Sequence, residues 1–364
     1  MSRPAAKVTI REVAERAQVA ISTVSHAFSG SRPISQATRE RVLRAAAELG
    51  YDPNPSARSL RTGRSGIVGL VLRPRYAVTG TPDRAETFNR LVGSIATEML
   101  RRKTGLIHVP DIDDPSVARV PMDGCIVAHP YGDDSVLTEL TRRGIPVVTV
   151  EEDPERPGFP WAVRLDYPAV VTALLDHLRE QGARRITLFT GTEDNAWNRR
   201  TRETYLAWSA RRRRTPRVEV LSEGLTPDDA AAAVRPLLTG RSRPDAVIIA
   251  TSDFAALVTR VAAAEGLRVP DDLMVASLTD TEHSRTASPP ITAMDLNHEK
   301  LAEHAVELML ARLSGAGNPG NHWSSPRCCT CARPPGARDR PGRTVRRAGA
   351  DRHAPIVDAS ITKR

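Results

Sequence analysis

The chain has 364 residues, a formal net charge of +9 and 40% hydrophobic side chains, which is enough for two or three domains that each bury a core. It has only four cysteines and no apolar run of about 18 residues, which excludes a disulfide scaffold and a membrane-spanning helix. The first residues, MSRPAAKVTI, lack the apolar segment of a signal peptide. We therefore expect a cytoplasmic protein with no membrane partner.

The charge is unevenly distributed along the chain. Residues 1–64 hold 11 basic and 5 acidic side chains, residues 65–318 hold 31 and 35, and residues 319–364 hold 10 and 3. Lys and Arg gain binding free energy by displacing counterions from phosphates, so the basic head indicates contact with a polyanion. A solvated basic face is the alternative, and charge alone does not separate the two.

Residues 7–50 are predicted to form a small all-helical domain. Thr9 and Glu12 form a capping-box pattern at the start of a first helix, and Ser35 is a favourable N-cap for a third helix. The third helix is predicted to bury Val42, Leu43, Ala46 and Leu49.

Residues 51–65 are rich in proline, glycine and arginine and are predicted as a linker. From residue 66 to residue 313, short apolar runs alternate with amphipathic segments. The predicted strands are 67–72, 105–109, 124–128, 145–150, 185–189, 218–221, 246–250 and 273–277. The predicted helices are 84–103, 134–143, 168–181, 199–213, 227–238, 253–265 and 297–313. This alternation predicts parallel sheets covered by helices, and eight strands divide more naturally into two doubly wound lobes than into one.

Residues 9–60 carry a longer pattern than a generic helix-turn-helix. The segments TIREVAERA, STVS, ATRERV and GYDPNPSARSL follow one another almost continuously, and the chain resembles the lactose-repressor (LacI/GalR) family here and over the alternating lobes. The resemblance implies an all-α helix-turn-helix head and an α/β two-lobed effector domain of the type I periplasmic-binding-protein fold. It also implies a homodimer that binds a pseudo-palindromic DNA operator, most often as a repressor, under the control of a sugar-like small-molecule effector.

The second helix of a helix-turn-helix lies in the major groove, and its N-terminal residues contact base edges. We therefore expect Ile21, Ser22 and His26 to contact bases. Family members commonly have Arg where His26 stands, and Arg contacts guanine through two hydrogen bonds. Because His26 can donate only one well-directed hydrogen bond, the operator sequence does not transfer from the family.

Hydroxyl side chains accompany these positions. Thr23 and Ser25 suit phosphate contacts, which fix register without reading sequence, and helix capping is the alternative for both. Thr9 also belongs to the predicted DNA-binding set. Val24 and Phe28 are expected to face the three-helix core.

The segment before the body matches the hinge of the family. That hinge forms a short helix on DNA, and a leucine from each subunit wedges between base pairs in the minor groove. Asn54, Ala57 and Leu60 match this pattern, with Leu60 as the wedge and Arg58 along the phosphate backbone. The alternative for Leu60 is a linker residue packed on the body.

Ligands of open parallel sheets bind at the carboxyl ends of the strands. That rule selects Arg73, His129, 191–195, Ser252, Asp253 and Asp280. Asp253 and Asp280 match family positions whose carboxylates accept hydrogen bonds from ligand hydroxyls, although Asp253 is also a favourable helix N-cap.

The segment NAWNRRTRETYLAW departs from the family pattern. Many sugar-binding members have an arginine where Thr201 stands, and Arg199 and Arg202 are the nearby cations that could replace it. Trp197 stacks on a ligand in one interpretation and packs in the helix core in the other. The effector class therefore does not follow from the sequence.

No catalytic motif of the kinds GxSxG, GxxxxGK[ST] or HExxH occurs, and no GxGxxG follows the first strand. No paired carboxylate or nucleophile stands at a motif spacing from His108, His129, His177 or His304. Cys125 lies inside an apolar run and is expected in the core. We therefore expect no enzyme, no cofactor and no metal, and the alternative function is a small-molecule binding protein with weak or no specific DNA binding.

Residues 314–364 are predicted as a disordered basic tail. Residues 314–355 contain no Leu, Ile, Met, Phe or Tyr, too little apolar surface to offset the entropy of ordering. The family's closing strand of the second lobe is not recognisable after Leu313, and a changed reading frame near residues 315–320 of a GC-rich gene would produce this composition. The alternatives are a DNA-contacting basic tail and a zinc or redox site formed by His322, Cys328, Cys329 and Cys331.

Overall fold

A computed structural model describes most of the head and body. The described residues are 8–30, 32–52, 63–73, 85–109, 120–250, 254–317, 322–324 and 327–329, the last two by their backbone only. Within them, no helix has the length and apolar character needed to cross a membrane.

The head consists of helices α1 (Ile10–Ala17), α2 (Ile21–Ser29) and α3 (Gln36–Leu49). The predicted caps are present: Thr9 and Glu12 complete a capping box, and the Ser35 side chain accepts a hydrogen bond from the Thr38 N–H. The shared core consists of Val13, Ala14, Ala17, Val24, Ala27, Val42, Ala45 and Ala46. The prediction that Leu43 is buried is wrong, because Ala45 and Ala46 continue the inward stripe of α3 and Leu43 is 42% exposed.

The body alternates strands and helices as predicted. Its helices are α4 (Glu86–Arg101), α5 (Ser135–Arg142), α6 (Tyr167–Glu180), α7 (Ala196–Arg211), α8 (Pro227–Thr239), α9 (Phe254–Ala264), α10 (Glu282–Thr286) and α11 (His298–Leu313). Its strands are β1 (Ile67–Leu72), β2 (Gly105–His108), β3 (Gly124–Ala128), β4 (Val147–Val150), β5 (Ala162–Leu165), β6 (Ile186–Thr190), β7 (Val218–Val220), β8 (Ala246–Ile249), β9 (Met274–Ser277), β10 (Thr292–Asp295), β11 (His322–Ser324) and β12 (Arg327–Cys329).

These strands form two six-stranded sheets, one in each lobe. The order is β11-β5-β4-β3-β1-β2 in the first sheet and β12-β10-β9-β8-β6-β7 in the second. Every described pairing is parallel except that of β12 with β10. Buried strand residues such as Val68, Ile126 and Ile248 explain the apolar runs, since parallel strands are covered on both faces. The predicted two-lobed architecture is confirmed.

Strand β5 did not stand out in the sequence because a charged residue interrupts it. All four residues of β5 are buried, Arg164 among them. The Arg164 Nε donates to the Glu152 carboxylate at 3.0 Å, and its Nη2 donates to the carbonyl groups of Pro157 and Phe159. A buried cation is tolerated when paired and hydrogen-bonded in this way, but a search for apolar runs does not detect it.

The segment after Leu313 corrects one expectation. Strand β11 pairs with β5, and β12 pairs with β10 through the registers Ala293–Cys329 and Asp295–Arg327. The family's closing strand is not recognisable in the sequence after Leu313, and the expectation of disorder is wrong for β12, which adds a strand to the second sheet. A ladder uses backbone groups, which composition does not report. Residues 314 and 315 form a turn directly after α11. Residues 318–321, 325–326 and 330–364 of the predicted disordered tail lie outside the described residues, as do the side chains of the alternative zinc site.

Candidate DNA-binding face and effector cleft

Helix α2 has a buried face and an exposed face. Val24 and Ala27 are buried in the head, whereas Ile21 is 45% exposed and Ser22 is also exposed. His26 is half-buried at the far end of the same helix. The predicted base-contacting residues therefore lie on a helix held to the head through its opposite face.

The hydroxyl residues of the head differ in their contacts. The Thr9 hydroxyl donates to the Glu12 carboxylate at 2.8 Å, and hydrogen bonds from Thr9 lower the pKa of Glu12. The N-cap of α2 is Ala20, and this helix has no side-chain cap. Neither Thr23 nor Ser25 therefore caps α2 at its start, which removes the capping alternative there.

A basic side chain that the sequence did not single out lies beside α2. Arg11 of α1 and Ile21 of α2 line the same shallow groove of the head, and Arg11 is exposed. A basic residue in the first turn of α1 was the available signal. Asn54, Ala57, Arg58 and Leu60 lie outside the described residues.

Loops at the carboxyl ends of the two sheets meet between the lobes, and we call this junction the cleft. Tyr131, after β3, forms an isolated antiparallel bridge with Asn195, after β6. The Gly132 N–H donates to the Asp194 carbonyl at 2.8 Å. The loops selected by the strand-end rule therefore meet between the lobes.

Arg73 and Asp280, two predicted effector residues, already have polar partners. The Arg73 Nε donates to Asp134 at 2.8 Å, and its guanidinium lies 5.2 Å from the centre of the Tyr131 ring. The Asp280 carboxylate accepts a hydrogen bond from Arg285 at 2.7 Å. Asp253 lies outside the described residues.

Trp197 was predicted either to stack on a ligand or to pack in the helix core, and its surroundings are compatible with both roles. Its indole N–H donates to the Ala250 carbonyl at 2.9 Å, and its ring meets that of Tyr167 edge-on at 5.9 Å between centres. It is half-buried between two core clusters. Its polar atom is therefore engaged by the backbone, and only ring surface is left for a ligand.

Arg199 and Arg202 lie in different surroundings. Arg199 is paired with Asp194, and its Nη1 donates to Glu155 of the first lobe at 2.6 Å. Arg202 is exposed on α7, whereas Thr201 is fully buried. The position at which the family resemblance implies an arginine is therefore a buried threonine, and neither neighbouring cation occupies it.

The loop after β4 holds an acidic run, Glu151 to Asp153, that the sequence reading passed over. Burial raises the pKa of Glu151 to about 8, against the opposing effect of the hydrogen bond from the Tyr167 hydroxyl. The other Glu151 oxygen, Oε1, is buried without a hydrogen-bond partner among the described residues. The strand-end rule would have found this run had it been applied to β4 as well.

Glu152 links the two lobes. Its carboxylate lies 3.0 Å from the Arg164 Nε in the first lobe and 2.7 Å from the Arg200 Nη2 on α7. With Arg199 and Glu155, these pairs place charge-assisted hydrogen bonds along one side of the cleft.

His298, at the start of α11, is buried, and His129, after β3, is half-buried. Burial lowers the pKa of His129 to about 3 and that of His298 to about 4. The His129 ring meets the Phe88 ring edge-on, with 5.2 Å between centres. Both imidazoles are therefore neutral at pH 7, and neither stands next to a nucleophile.

Cys125 is buried in the core as predicted, and burial raises its pKa to about 12. No group of three or more His, Cys, Asp or Glu side chains in the described part of the chain could hold a metal ion.

Comparisons with known proteins bear on both parts of the chain. A family model described as "Bacterial regulatory proteins, lacI family" matches residues 9–54, and one for a "Periplasmic binding protein-like domain" matches residues 175–333. The transcriptional regulator CelR of Thermobifida fusca is 30% identical over 331 residues, covering 84% of this chain and 92% of that protein. The transcriptional repressor PurR of Haemophilus influenzae is 26% identical over 324 residues, covering 84% and 91%.

Solved structures show the same fold. The lac repressor dimer bound to operator and the anti-inducer ONPF matches with a TM-score of 0.72 and 22% identity, covering 89% of this chain and 98% of that one. The CelR–cellobiose complex matches with a TM-score of 0.64 and 24% identity, covering 89% and 99%.

Proposed function

The chain belongs to the LacI family of DNA-binding transcriptional regulators, and we propose that it represses transcription as a homodimer bound to a pseudo-palindromic operator. The observation that carries the proposal is α2, with Val24 and Ala27 buried and Ile21 and Ser22 exposed. This is the orientation in which the second helix of a helix-turn-helix contacts base edges. The solved lac repressor dimer bound to operator supports the assembly.

Three side chains are proposed to contact bases. Ile21 offers apolar contact to a thymine methyl group, and Ser22 and His26 offer hydrogen bonds. Thr9, Thr23, Ser25 and Arg11 are proposed to contact phosphates, which fix the register of the head on the duplex. For Thr9 this role requires an exchange of partners, because its hydroxyl and its N–H both donate to the Glu12 carboxylate and a phosphate oxygen only accepts.

The hinge roles rest on the family pattern. Asn54, Ala57 and Arg58 are proposed to lie in and along the minor groove, with Leu60 wedged between base pairs. Minor-groove insertion of this kind bends the duplex, so operator bending is the readout for Leu60.

The cleft between the lobes is proposed to bind a small-molecule effector. Trp197 would present its ring, and Asp253 and Asp280 would accept hydrogen bonds from ligand hydroxyls. Arg73, Arg199 and Arg202 are proposed as further contacts, and the first two would have to exchange their carboxylate partners for the ligand. The solved CelR–cellobiose complex supports a sugar-like effector.

We further propose that the effector leaves unchanged, that the protein is no enzyme, and that it acts in the cytoplasm at the nucleoid. Incubation with a bound effector should therefore return that compound intact. Formation of a product would contradict the regulator proposal.

Selection from random double-stranded DNA tests the central proposal. Successive rounds of mobility-shift selection with the full chain should enrich a two-fold pseudo-palindrome. Absence of enrichment over non-specific binding would favour a small-molecule binding protein whose head contributes little.

A further inference from the structure

The second lobe carries a dense arginine cluster at its end opposite the effector cleft. It lies in three loops: 181–185 between α6 and β6, 212–217 between α7 and β7, and 240–245 between α8 and β8. These 17 residues contain eight arginines and one aspartate. Because β6 lies between β7 and β8 in the sheet, the three loops are neighbours. We call them the arginine pole.

Few of these arginines meet a carboxylate. Arg212 is paired with Asp176 at 2.7 Å, and Arg217 with Glu219 at 2.8 Å. The carboxylate of Asp245 is occupied by the backbone N–H groups of residues 184 and 185. The pole therefore keeps a large excess of positive charge.

Among the described residues, the side chains of four of the eight form no hydrogen bond and no ion pair. These are Arg184, Arg185, Arg213 and Arg241, and all four are exposed. The neighbouring loop between α9 and β9 differs, because its Arg268 is balanced by Asp271 at 3.4 Å and Asp272 at 2.9 Å. Excess charge is therefore a property of the three loops and not of this end of the sheet in general.

Helix dipoles explain only part of the cluster. The carboxyl ends of α6, α7 and α8 point toward the pole, and cations in the last turn of a helix are stabilised by the helix dipole. Arg184, Arg185 and Arg217 instead lie at the starts of the following strands, beyond the last turn of a helix. Of these three, Arg217 is paired with Glu219, whereas Arg184 and Arg185 have no carboxylate partner in the described part of the chain, and their like charges repel each other.

The pole also has a cavity. A depression of about 560 Å³ falls in the range of small-molecule sites. Its lining includes Arg184, Arg185, Arg214, Arg217, Ser209 and Thr215. The Arg214 Nη1 donates to the Arg184 carbonyl at 2.6 Å, which fixes one guanidinium at the rim.

We propose that the arginine pole binds a small anion with two or more adjacent phosphate groups, at a site separate from the effector cleft. Guanidinium forks match phosphate oxygens through two parallel hydrogen bonds, and the hydroxyl group of the exposed Thr215 adds a donor. The concave shape favours a small anion over a nucleic-acid duplex, which needs an extended surface. This inference does not rest on the proposed operator binding.

Titration calorimetry of the full chain with sodium tripolyphosphate, at about 0.15 M salt to screen weak surface attraction, tests the inference. The double variant R184Q/R185Q should bind at least about tenfold more weakly than the natural chain, because two forks are lost. The matched control R101Q/R142Q removes the same charge from exposed helix ends of the first lobe. It should change the affinity by less than about twofold. Substitution with lysine, R184K/R185K, keeps the charge without the fork and should give an intermediate affinity.

Three outcomes would overturn the inference. One is equal tripolyphosphate affinity for the natural chain and R184Q/R185Q. Another is equal affinity for tripolyphosphate, monophosphate and sulfate, which would indicate unspecific attraction. The third is loss of non-operator DNA binding in R184Q/R185Q while tripolyphosphate does not bind, which would assign the pole to nucleic acid. Operator selection with R184Q/R185Q should return the same sequence as the natural chain, so the two proposals fail separately.

Discussion

The proposed DNA-binding face of α2 and the proposed effector cleft differ in how their polar side chains are engaged. On α2, Ile21 and Ser22 remain exposed while the opposite face is buried in the head. In the cleft, Arg73, Arg199 and Arg200 all engage carboxylates of the protein itself. A partner can therefore add to the face as it stands, whereas a charged ligand in the cleft must compete with ion pairs already formed.

Removing the ion pair at the centre of the cleft should give the largest effect. Glu152→Ala leaves the buried Arg164 without its carboxylate, and breaking a buried pair from one side costs about 3–5 kcal/mol. Denaturant unfolding monitored by tryptophan fluorescence measures the loss. As a control, Glu203→Ala removes the exposed partner of Arg200 and should cost less than about 1 kcal/mol. Equal losses in the two variants would show that the cleft pair is no more buried in solution than a surface pair.

The parts of the fold that could be predicted from the sequence are those that depend on local spacing. The head follows from local signals, since the capping box at Thr9 and the buried Val24 are properties of sequence spacing. The two lobes follow from alternating apolar runs. The strands that contain Arg164 and Cys329, β5 and β12, were not predicted. A buried ion pair stabilises the first and an edge ladder forms the second, and both depend on partners that are distant in sequence.

The position of the cleft could be predicted from the sequence, but the ion pairs between its side chains could not. The strand-end rule placed Arg73 and Asp280 at the cleft, yet it gave no sign that each would meet a partner carboxylate or guanidinium. Glu151 was missed altogether, although it follows β4 directly. Side-chain pairing between lobes is decided by tertiary geometry, which periodicity does not encode.

The pH dependence of stability gives a second test that concerns the cleft and not the α2 face, because Glu151 lies in the cleft and has a raised pKa. Its pKa is about 8 in the folded protein against an ordinary value of 4.5, so the folded state favours the protonated form. Its contribution is fully present below pH 4.5 and is lost as pH rises toward 8. The free energy of unfolding of the natural chain should therefore fall relative to Glu151→Gln, by about 1.4 kcal/mol per pH unit in this window.

The difference in the free energy of unfolding between the natural chain and Glu151→Gln reports Glu151 alone, without the contribution of the histidines His129 and His298. His129 and His298 have lowered pKa values, so their contribution is present above about pH 6.5 and is lost as pH falls. It is the same in both chains. Thermal or denaturant unfolding at several pH values measures the difference, and parallel stability curves would mean that Glu151 ionises normally in the folded state.

A substitution on α2 tests the DNA-binding face alone. His26→Arg adds a side chain that can form two hydrogen bonds to guanine, and a pair of this kind discriminates by about 1–3 kcal/mol. The operator selected by the variant should change at one position in each half-site, while the stability of the body remains the same. An unchanged operator would remove His26 from the base-contacting residues.

The smallest effect is expected from the exposed ion pair between the lobes. Glu155 is more than half exposed, and Arg199 keeps Asp194 on its own lobe when Glu155 is removed. Glu155→Gln should therefore change the free energy of unfolding by less than about 1 kcal/mol, as other exposed pairs do. Asp194→Asn is the matched control, since it removes the partner within the lobe and leaves the contact between lobes. If Glu155→Gln costs as much as Glu152→Ala, the outer pair also holds the lobes together, and both cleft pairs must break before an effector can reach Arg199. If it costs little, Arg199 can exchange Glu155 for a ligand oxygen at small expense, and the cleft has one tightly held pair and one exchangeable pair.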